Sequence, residues 1–483
     1  MKEITTIIVG FLLLAYIYYY DELIFIQQIK DNLLSFSSFD TILFFFLLFI
    51  FHLLFTFIYA KKIKLEKQFL LFLPSLIVAF LIFVLQILPI LFYVFGKDFV
   101  LIYLNYNFDF DLTVTVICFS SLALLLGINL GKLHLLSLLN LDLINQKLVF
   151  KTLHQRKLDF LLSKKKLNQL LIFSIILALI CVPFQLGLRL DLIYEGGRHA
   201  AREVNSSLVK KLIPLVNIIG YMLSIFAGII YARTNKRIAL CIPSIFVFPR
   251  LVILSRSLII PIILFVLSTA LIGKKISKFV LVSITFLTFF GASIALSLRP
   301  ISSGGLSSLS NINRSILDIQ NLIFLMSNFF EKSNIGIVGI AIKYKDPLKN
   351  SIDGFFEWLI TISPIPSFFG IKSLVPTVAE LLNITHYGIT MPVFGELYFK
   401  MGWICLLVLF IFGFWLGRLE GKIIAHKKII GNPYWVHVLL WLATLFGLIY
   451  SFHSPSRAST RVLLYCYYFI WFVEFLVSFN KKK

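Results

Sequence analysis

"TILFFFLLFIFHLLFTFIYA", residues 41–60, contains no Asp, Glu, Lys or Arg in twenty consecutive positions. A run of about 20 apolar residues is the length that a helix needs to cross the hydrocarbon core of a bilayer. Hydrophobic residues make up 59% of the 483-residue chain, and charged residues only 14%. A soluble domain would need far more polar side chains to cover its core, so the stretch predicts one span of a polytopic membrane protein.

Similar apolar runs recur on both sides of this stretch, and together they predict an all-α polytopic membrane protein with about 12 transmembrane helices. The first run ends without a small-residue cleavage site, so we expect a span there and not a signal peptide. The seventh and eighth runs are short, tightly joined and rich in proline, which predicts broken helices. The predicted spans are 4–20, 39–60, 69–95, 112–131, 168–187, 212–231, 238–254, 257–273, 279–297, 392–416, 434–452 and 460–479.

Basic residues orient the predicted spans. With both termini in the cytoplasm, every inner segment is basic, for example "KKIKLEK" (61–67) and the long stretch 132–167. This pattern satisfies the positive-inside rule. A basic surface facing anionic lipid headgroups explains the formal net charge of +22, so we expect membrane lipid as a partner and no nucleic acid.

Arginine is distributed differently from lysine. It supplies 4 of the 26 basic residues on the predicted inner side but 9 of the 19 on the outer side. The positive-inside rule does not distinguish the two residue types, whereas only the planar guanidinium group binds a phosphate or carboxylate through two parallel hydrogen bonds. The distribution predicts an anionic ligand at the outer face. Pairing with outer acids such as Asp191, Glu195 and Glu203 is the alternative.

Two predicted outer segments are long. Residues 1–297 would carry helices 1–9 with the external loop 188–211, residues 298–391 would form a large external loop, and residues 392–483 would carry helices 10–12. Loops this long are usually functional. Within the large loop, 353–370 is aromatic and interrupted by prolines, which predicts an interfacial or re-entrant element.

The first group of candidate site residues lies in "YEGGRHAAREVN" (194–205). Arg198 and Arg202 are four positions apart and would share one face of a helix. The two glycines before Arg198 allow a turn that presents backbone N–H groups to an anion. Tyr194, which opens the stretch, is a secondary candidate.

A second group lies in or beside the membrane. "FPRLVILSRSLIIP" contains Arg250 and Arg256. An arginine inside a membrane is costly and usually faces a cavity or a partner, although it can also extend to the headgroups. Arg299, at the exit of the ninth predicted span, would extend this cluster, and Arg250 and Arg314 are secondary candidates.

Acid–base candidates flank the tenth predicted span. Glu396 would lie one turn inside the membrane, where a carboxylate either pairs with an arginine or acts as a base. His386, just before the span, could act near neutral pH, although a lone external histidine is more often a surface residue. No His, Cys or carboxylate cluster has metal-ligand spacing and no phosphate-binding loop is present, so we expect neither a metal nor a cofactor.

"PVFGELYFKMGWICLLVLFIFGFWLGRLE" (392–420) resembles the late span of the O-antigen polysaccharide polymerase (Wzy) family. "LSRSLIIPIILFVLS" (254–268) resembles the arginine-containing span that this family carries in the middle of the chain. The general plan is also similar, with about a dozen spans, a medium and a large external loop, and arginines at the outer face.

The resemblance implies a metal-independent glycosyltransferase at the outer face of a bacterial inner membrane. Its substrate would be an oligosaccharide on undecaprenyl diphosphate, polymerised into the O-antigen of lipopolysaccharide or into an exopolysaccharide. Arg198, Arg202, Arg256 and Arg299 would then contact the diphosphate, and Glu396 or His386 would activate the acceptor hydroxyl. A chain-length regulator is a candidate partner.

Two other functions fit the same plan. An O-antigen ligase would use a similar donor with a different acceptor. A flippase for the lipid-linked unit would also have about twelve spans, but flippases usually have short loops and two related halves, and no internal repeat is evident in this sequence.

Overall fold

A computed structural model describes the chain in several ranges, and every structural statement below refers to these. Within them the chain is helical and contains no strand, which makes the protein an all-α membrane protein, as predicted. The described residues are 38–62, 73–94, 109–141, 164–186, 207–252, 260–277, 282–283, 335–345, 351–362, 392–430, 435–451 and 456–479.

Six helices of this part of the chain are long and apolar enough to cross a membrane, and shorter apolar helices accompany them. Ten of the twelve predicted spans coincide with a described helix. The first lies outside the described residues and the ninth is described at only two positions, so the number twelve stays a prediction.

We number the α-helices in chain order. They are α1 (Ser38–Lys62), α2 (Pro74–Ile82), α3 (Leu88–Val94), α4 (Phe110–Leu141), α5 (Lys164–Gln185), α6 (Ser207–Thr234), α7 (Cys241–Val252), α8 (Ile260–Ile272), α9 (Ile335–Lys343), α10 (Ser351–Ile362), α11 (Val393–Met401), α12 (Cys405–Ile430), α13 (Trp435–Ser451) and α14 (Ser456–Phe479).

The centre of the bundle is a close crossing of α4 and α12. Gly127 and Gly131 on α4 face Gly413 and Gly417 on α12, and each pair has the small-xxx-small spacing of tightly packed membrane helices. A Cβ atom at Gly127 would overlap the carbonyl oxygen of Phe410, and one at Gly417 would overlap that of Ile128. The close approach therefore requires glycine at these positions on both helices.

Helix α1, which contains the stretch 41–60, lies at the edge of the described bundle. Phe45 is fully buried, whereas Phe51 is 62% exposed and Leu47 is 60% exposed. A helix that is apolar all round yet exposed on one side is suited to contact lipid. Its buried side packs on α4.

The third predicted span is interrupted by a π-helical turn, Phe83–Ile87, between α2 and α3. Its cause is Pro89, which has no N–H to donate and whose ring would clash with the carbonyl group four residues earlier. The N–H of Leu88 donates to the carbonyl oxygen of Phe83, five residues back. The wider turn gives the proline ring its room.

Two helices continue beyond the ends of the spans that were predicted for them. The fourth was predicted to end at 131 and the tenth at 416, but α4 continues to Leu141 and α12 to Ile430. Both predicted ends relied on the charged residues that follow, and Lys132 and Glu420 turn out to neutralise each other inside the bundle. The tenth span is also broken at Gly402, whose φ is 55°.

The hairpin 238–273 is short, as predicted. Helices α7 and α8 have 12 and 13 residues, fewer than the roughly 20 that cross a bilayer. Helix α8 ends at Gly273, whose φ of 104° few other residues adopt. The N–H groups of Gly273 and Lys274 donate to Ala270 and Thr269 respectively, which is a glycine-terminated helix end.

Candidate functional site

Most of the predicted site residues lie outside the described residues. These are Tyr194, Arg198, Arg202, Arg256, Arg299, Arg314 and His386. Glu396 and Arg250 are described, and both are buried. We therefore describe their surroundings first, and then a second buried charged cluster.

Glu396 lies in the first turn of α11 and its exposed fraction is 0%. The helix starts after Pro392, whose carbonyl oxygen accepts the backbone N–H of Glu396 at 2.8 Å. A carboxylate in the first turn is stabilised by the positive end of the helix dipole. The sequence therefore places an acid at the end of the helix where the dipole is positive.

Two short helices from the segment 298–391 pack on α11. Helix α9 is buried from Ile335 to Ile342 and also contacts α4. Sequence reasoning missed this helix, because nine residues, "IGIVGIAIK", are too few to suggest a span. The two glycines in an otherwise apolar run are a signal of close packing that could have indicated it.

Helix α10 is fixed to α11 by a glycine contact and an ion pair. A Cβ atom at Gly354 would overlap the carbonyl oxygen of Lys400. The ammonium group of Lys400 donates to Oε2 of Glu357 at 2.6 Å, with exposed side-chain fractions of 3% and 33%. The opposite face of α10 exposes Phe356 and Ile360.

Arg250 lies in the last turn of α7 with 2% of its surface exposed. Its guanidinium carbon is 4.3 Å from the centre of the Tyr221 ring on α6. This is a cation–π contact, which is strong when the pair is removed from water. Arg250 thus has a partner within the bundle.

A second charged cluster joins α2, α4 and α12. The ammonium group of Lys132 lies 3.6 Å from Oε1 of Glu420, and the exposed side-chain fractions are 0% and 1%. It donates hydrogen bonds to Oγ of Ser75 at 3.0 Å and to Oγ1 of Thr56 at 3.4 Å. A buried charge is tolerated when it is paired and hydrogen-bonded in this way.

Glu420 also caps α2 from another helix. Its Oε2 accepts the backbone N–H of Ser75 at 2.7 Å, and its Oε1 accepts the hydroxyl of Ser75 at 3.0 Å. Leu73, at the N-cap of α2, makes no side-chain capping bond. The carboxylate therefore takes the place of the local cap and satisfies a free N–H group of the helix.

In the predicted orientation, Lys132 opens the inner segment 132–167 and Glu420 follows the end of the tenth predicted span. A spacing in the sequence could have suggested that Glu420 is buried. Glu420 follows Gly417 by three positions, so the two share a face of α12, and that face is the one in the close crossing. A charge on the glycine face of a membrane helix is directed at the neighbouring helix.

None of the described residues form a group of three or more His, Cys, Asp or Glu that could hold a metal ion. Comparison with protein families, with characterised proteins and with solved structures finds no match for this chain. The likeness to the polymerase family therefore depends on residues 254–268 and 392–420 and on the general plan alone.

Proposed function

We propose that the chain polymerises lipid-linked oligosaccharide repeat units by glycosyl transfer from undecaprenyl diphosphate, at the outer face of a bacterial inner membrane. The observation that carries the proposal is the fully buried carboxylate of Glu396 at the start of a membrane helix. Its helix, α11, is contacted by the two short helices α9 and α10, in a protein whose predicted outer face is enriched in arginine.

In the proposed reaction, Glu396 accepts the proton of the acceptor sugar's hydroxyl group. The hydroxyl oxygen forms the new bond to the anomeric carbon as the bond from that carbon to the diphosphate breaks. The electron pair leaves with undecaprenyl diphosphate. His386 is the alternative base.

Arginine is suited to the leaving group. Negative charge builds on the diphosphate oxygens as the bond breaks, and prearranged guanidinium groups stabilise it without consuming a proton. Arg198, Arg202, Arg256 and Arg299 are the proposed contacts. The burial of Glu396 also supports the proposal. Bulk water that does not reach the base cannot hydrolyse the donor in place of the sugar acceptor.

The first test replaces Glu396 in a strain whose own copy of the gene is deleted. We expect the deletion to leave single capped repeat units on the surface polysaccharide gel. Glu396→Gln keeps the size and removes the base, so polymer formation should fall by about 10²–10⁴-fold. Asp353→Asn, which alters an exposed carboxylate of the neighbouring helix α10, is the control and should retain polymer. Wild-type polymer from Glu396→Gln at equal protein level would exclude Glu396 as the base.

The second test replaces each of the four proposed arginines with lysine, which keeps the charge and loses the two-point hydrogen bonding. We expect shorter or less abundant polymer, by about 10²–10³-fold in rate for a direct contact. Arg237→Lys, on the predicted inner side, is the matched control. Normal polymer length in all four variants would contradict the assignment of a diphosphate site.

The two alternative functions give different products. A ligase deletion removes even the single capped unit, whereas a flippase deletion leaves the lipid-linked unit on the inner leaflet. One observation favours a transporter: ionisable residues within spans commonly mark a path through the membrane, and Lys132 and Glu420 are such residues. Labelling of the lipid-linked unit in inside-out and right-side-out vesicles from the deletion strain separates these functions.

A further inference from the structure

Three more polar side chains lie around the pair of Lys132 and Glu420. They are His52, which is 2% exposed, Tyr59 and Asn129, each 8% exposed. The His52 ring lies close to Lys132, Ser75 and Asn129. The ammonium group of Lys132 is 6.0 Å from the centre of the Tyr59 ring. We call these residues, with Thr56, the inner polar cluster.

Several atoms of this cluster lack a hydrogen bond of good geometry to the described part of the protein. They are both ring nitrogens of His52, the hydroxyl of Tyr59 and the side-chain oxygen of Asn129. Each buried polar atom left in this state costs about 1–3 kcal/mol. Buried polar groups in native proteins are almost always bonded to protein or to ordered water.

The atoms without a hydrogen bond include both donors and acceptors, and a water molecule can bond to both kinds. The Asn129 oxygen accepts, the Tyr59 hydroxyl can donate or accept, and a neutral imidazole does one at each nitrogen. Two carboxylate oxygens and an ammonium group lie beside them. A buried water typically makes about three hydrogen bonds to such groups, whereas apolar voids stay dry.

We propose that the inner polar cluster is a water-binding site inside the membrane-spanning bundle. Water there bridges His52, Tyr59 and Asn129 to the ion pair of Lys132 and Glu420. The bound water lowers the cost of keeping both charges among apolar helices. The site is independent of the proposed sugar chemistry, since Glu396 lies at the other end of α11 and α12 from Glu420.

The cluster also lies near one end of the bundle. Thr56 and Tyr59 are in the last two turns of α1, which ends at Lys62. The basic segment 61–67 follows directly, and its charge predicts the cytoplasmic face. We infer that water enters from that face.

Thiol accessibility tests the proposal in the full-length protein in membrane vesicles. The variant Thr56→Cys places a thiol of similar size in the cluster, and methanethiosulfonate reagents react with it only where water ionises the thiol. The matched control is Ala239→Cys, which is 0% exposed among apolar side chains near the same predicted face. The unsubstituted protein gives the background rate of the native cysteines.

We expect Thr56→Cys to react at least about tenfold faster than Ala239→Cys with the small ethylammonium reagent, following the difference in local water. With the membrane-impermeant trimethylammonium reagent, it should react in inside-out vesicles and not in right-side-out ones. Equal rates for the two variants would overturn the water site, and the opposite sidedness would overturn the entry from the cytoplasmic face. If Thr56→Cys does not fold, Asn129→Cys makes the same measurement.

Discussion

Lys132 follows Gly131 directly, and its position within α4 depends on a single residue of another helix. Its ammonium group meets the carboxylate of Glu420 at 3.6 Å, while both side chains are almost completely buried. Neither charge would be stable there alone, because an unpaired ion in an apolar interior costs several kcal/mol. Each residue of the pair is therefore tolerated at the crossing of α4 and α12 only when the other is also present.

Removing one member of the pair should destabilise the protein more than removing both. We expect Lys132→Ala to reduce the free energy of unfolding by about 3–5 kcal/mol, because Glu420 loses its countercharge. The double variant Lys132→Met, Glu420→Gln has no buried charge to stabilise and should recover most of this loss. Thermal unfolding of the detergent-purified protein measures both. A double variant as unstable as the single one would show that the charges are needed for more than mutual neutralisation.

At the level of elements, glycine contacts set the distances between helices. Gly413 and Gly417 bring the backbone of α12 against Leu124 and Ile128 of α4, and Gly354 brings α10 against Lys400 of α11. Without a hydrophobic driving force between helices in lipid, such close packing is a main source of their association. Packing of this kind is sensitive to a single methyl group.

Gly417→Ala should separate α4 from α12. The added methyl group would overlap a backbone oxygen of Ile128 that cannot move alone, and overpacking of this kind typically costs about 1–3 kcal/mol. The comparison variant is Gly220→Ala, where the methyl group meets the side-chain ring of Phe246 and no backbone atom of another helix. Unfolding temperatures of the two variants give the comparison. A similar small effect for both would mean that the crossing tolerates more separation than its geometry indicates.

Gly354→Val tests the attachment of α10 in the same way. The side chain would overlap the carbonyl oxygen of Lys400, so α10 should be displaced and the contact between Lys400 and Glu357 lost. A disulfide cross-link between cysteines at 357 and 400, whose native side chains are in contact, should form less readily in this variant than when Gly354 is present. If the proposed function holds, polymer should also decrease, because Glu396 would lose part of its cover. Unchanged cross-linking would contradict the displacement.

At the level of the whole molecule, the fold class can be predicted from the sequence more securely than the functional site. The apolar run 41–60 and its repetitions predict a helical membrane protein correctly. The burial of Lys132 within α4 and of Glu420 within α12 could not be predicted, since the two residues that pair are 288 positions apart in the chain. Helix α9 is too short to be recognised by its hydropathy. Of the candidate site residues, Glu396 and Arg250 are found buried, and the roles assigned to all of them stay predictions.

The predicted orientation is testable for the whole protein. We expect a cysteine introduced at Ser206 to react with a membrane-impermeant maleimide in intact cells, because the segment 188–211 is predicted to face outward. A cysteine introduced at Lys481 should react only after the membrane is opened. If the cysteine at 206 reacts only in opened cells, the segment 188–211 does not face outward, and the proposed diphosphate site at the outer face is wrong.

The π-helical turn at Phe83–Ile87 has a consequence for any realignment of this chain with others. The π-helical turn contains one residue more than an α-helical turn. Each residue of an α-helix advances by about 100° around the helix axis. The apolar stripe of α3 is therefore out of phase with that of α2. A relative that lacks Pro89 should be one residue shorter at this point, so a single-residue gap inside a hydrophobic span would there mark conserved geometry and not a loop.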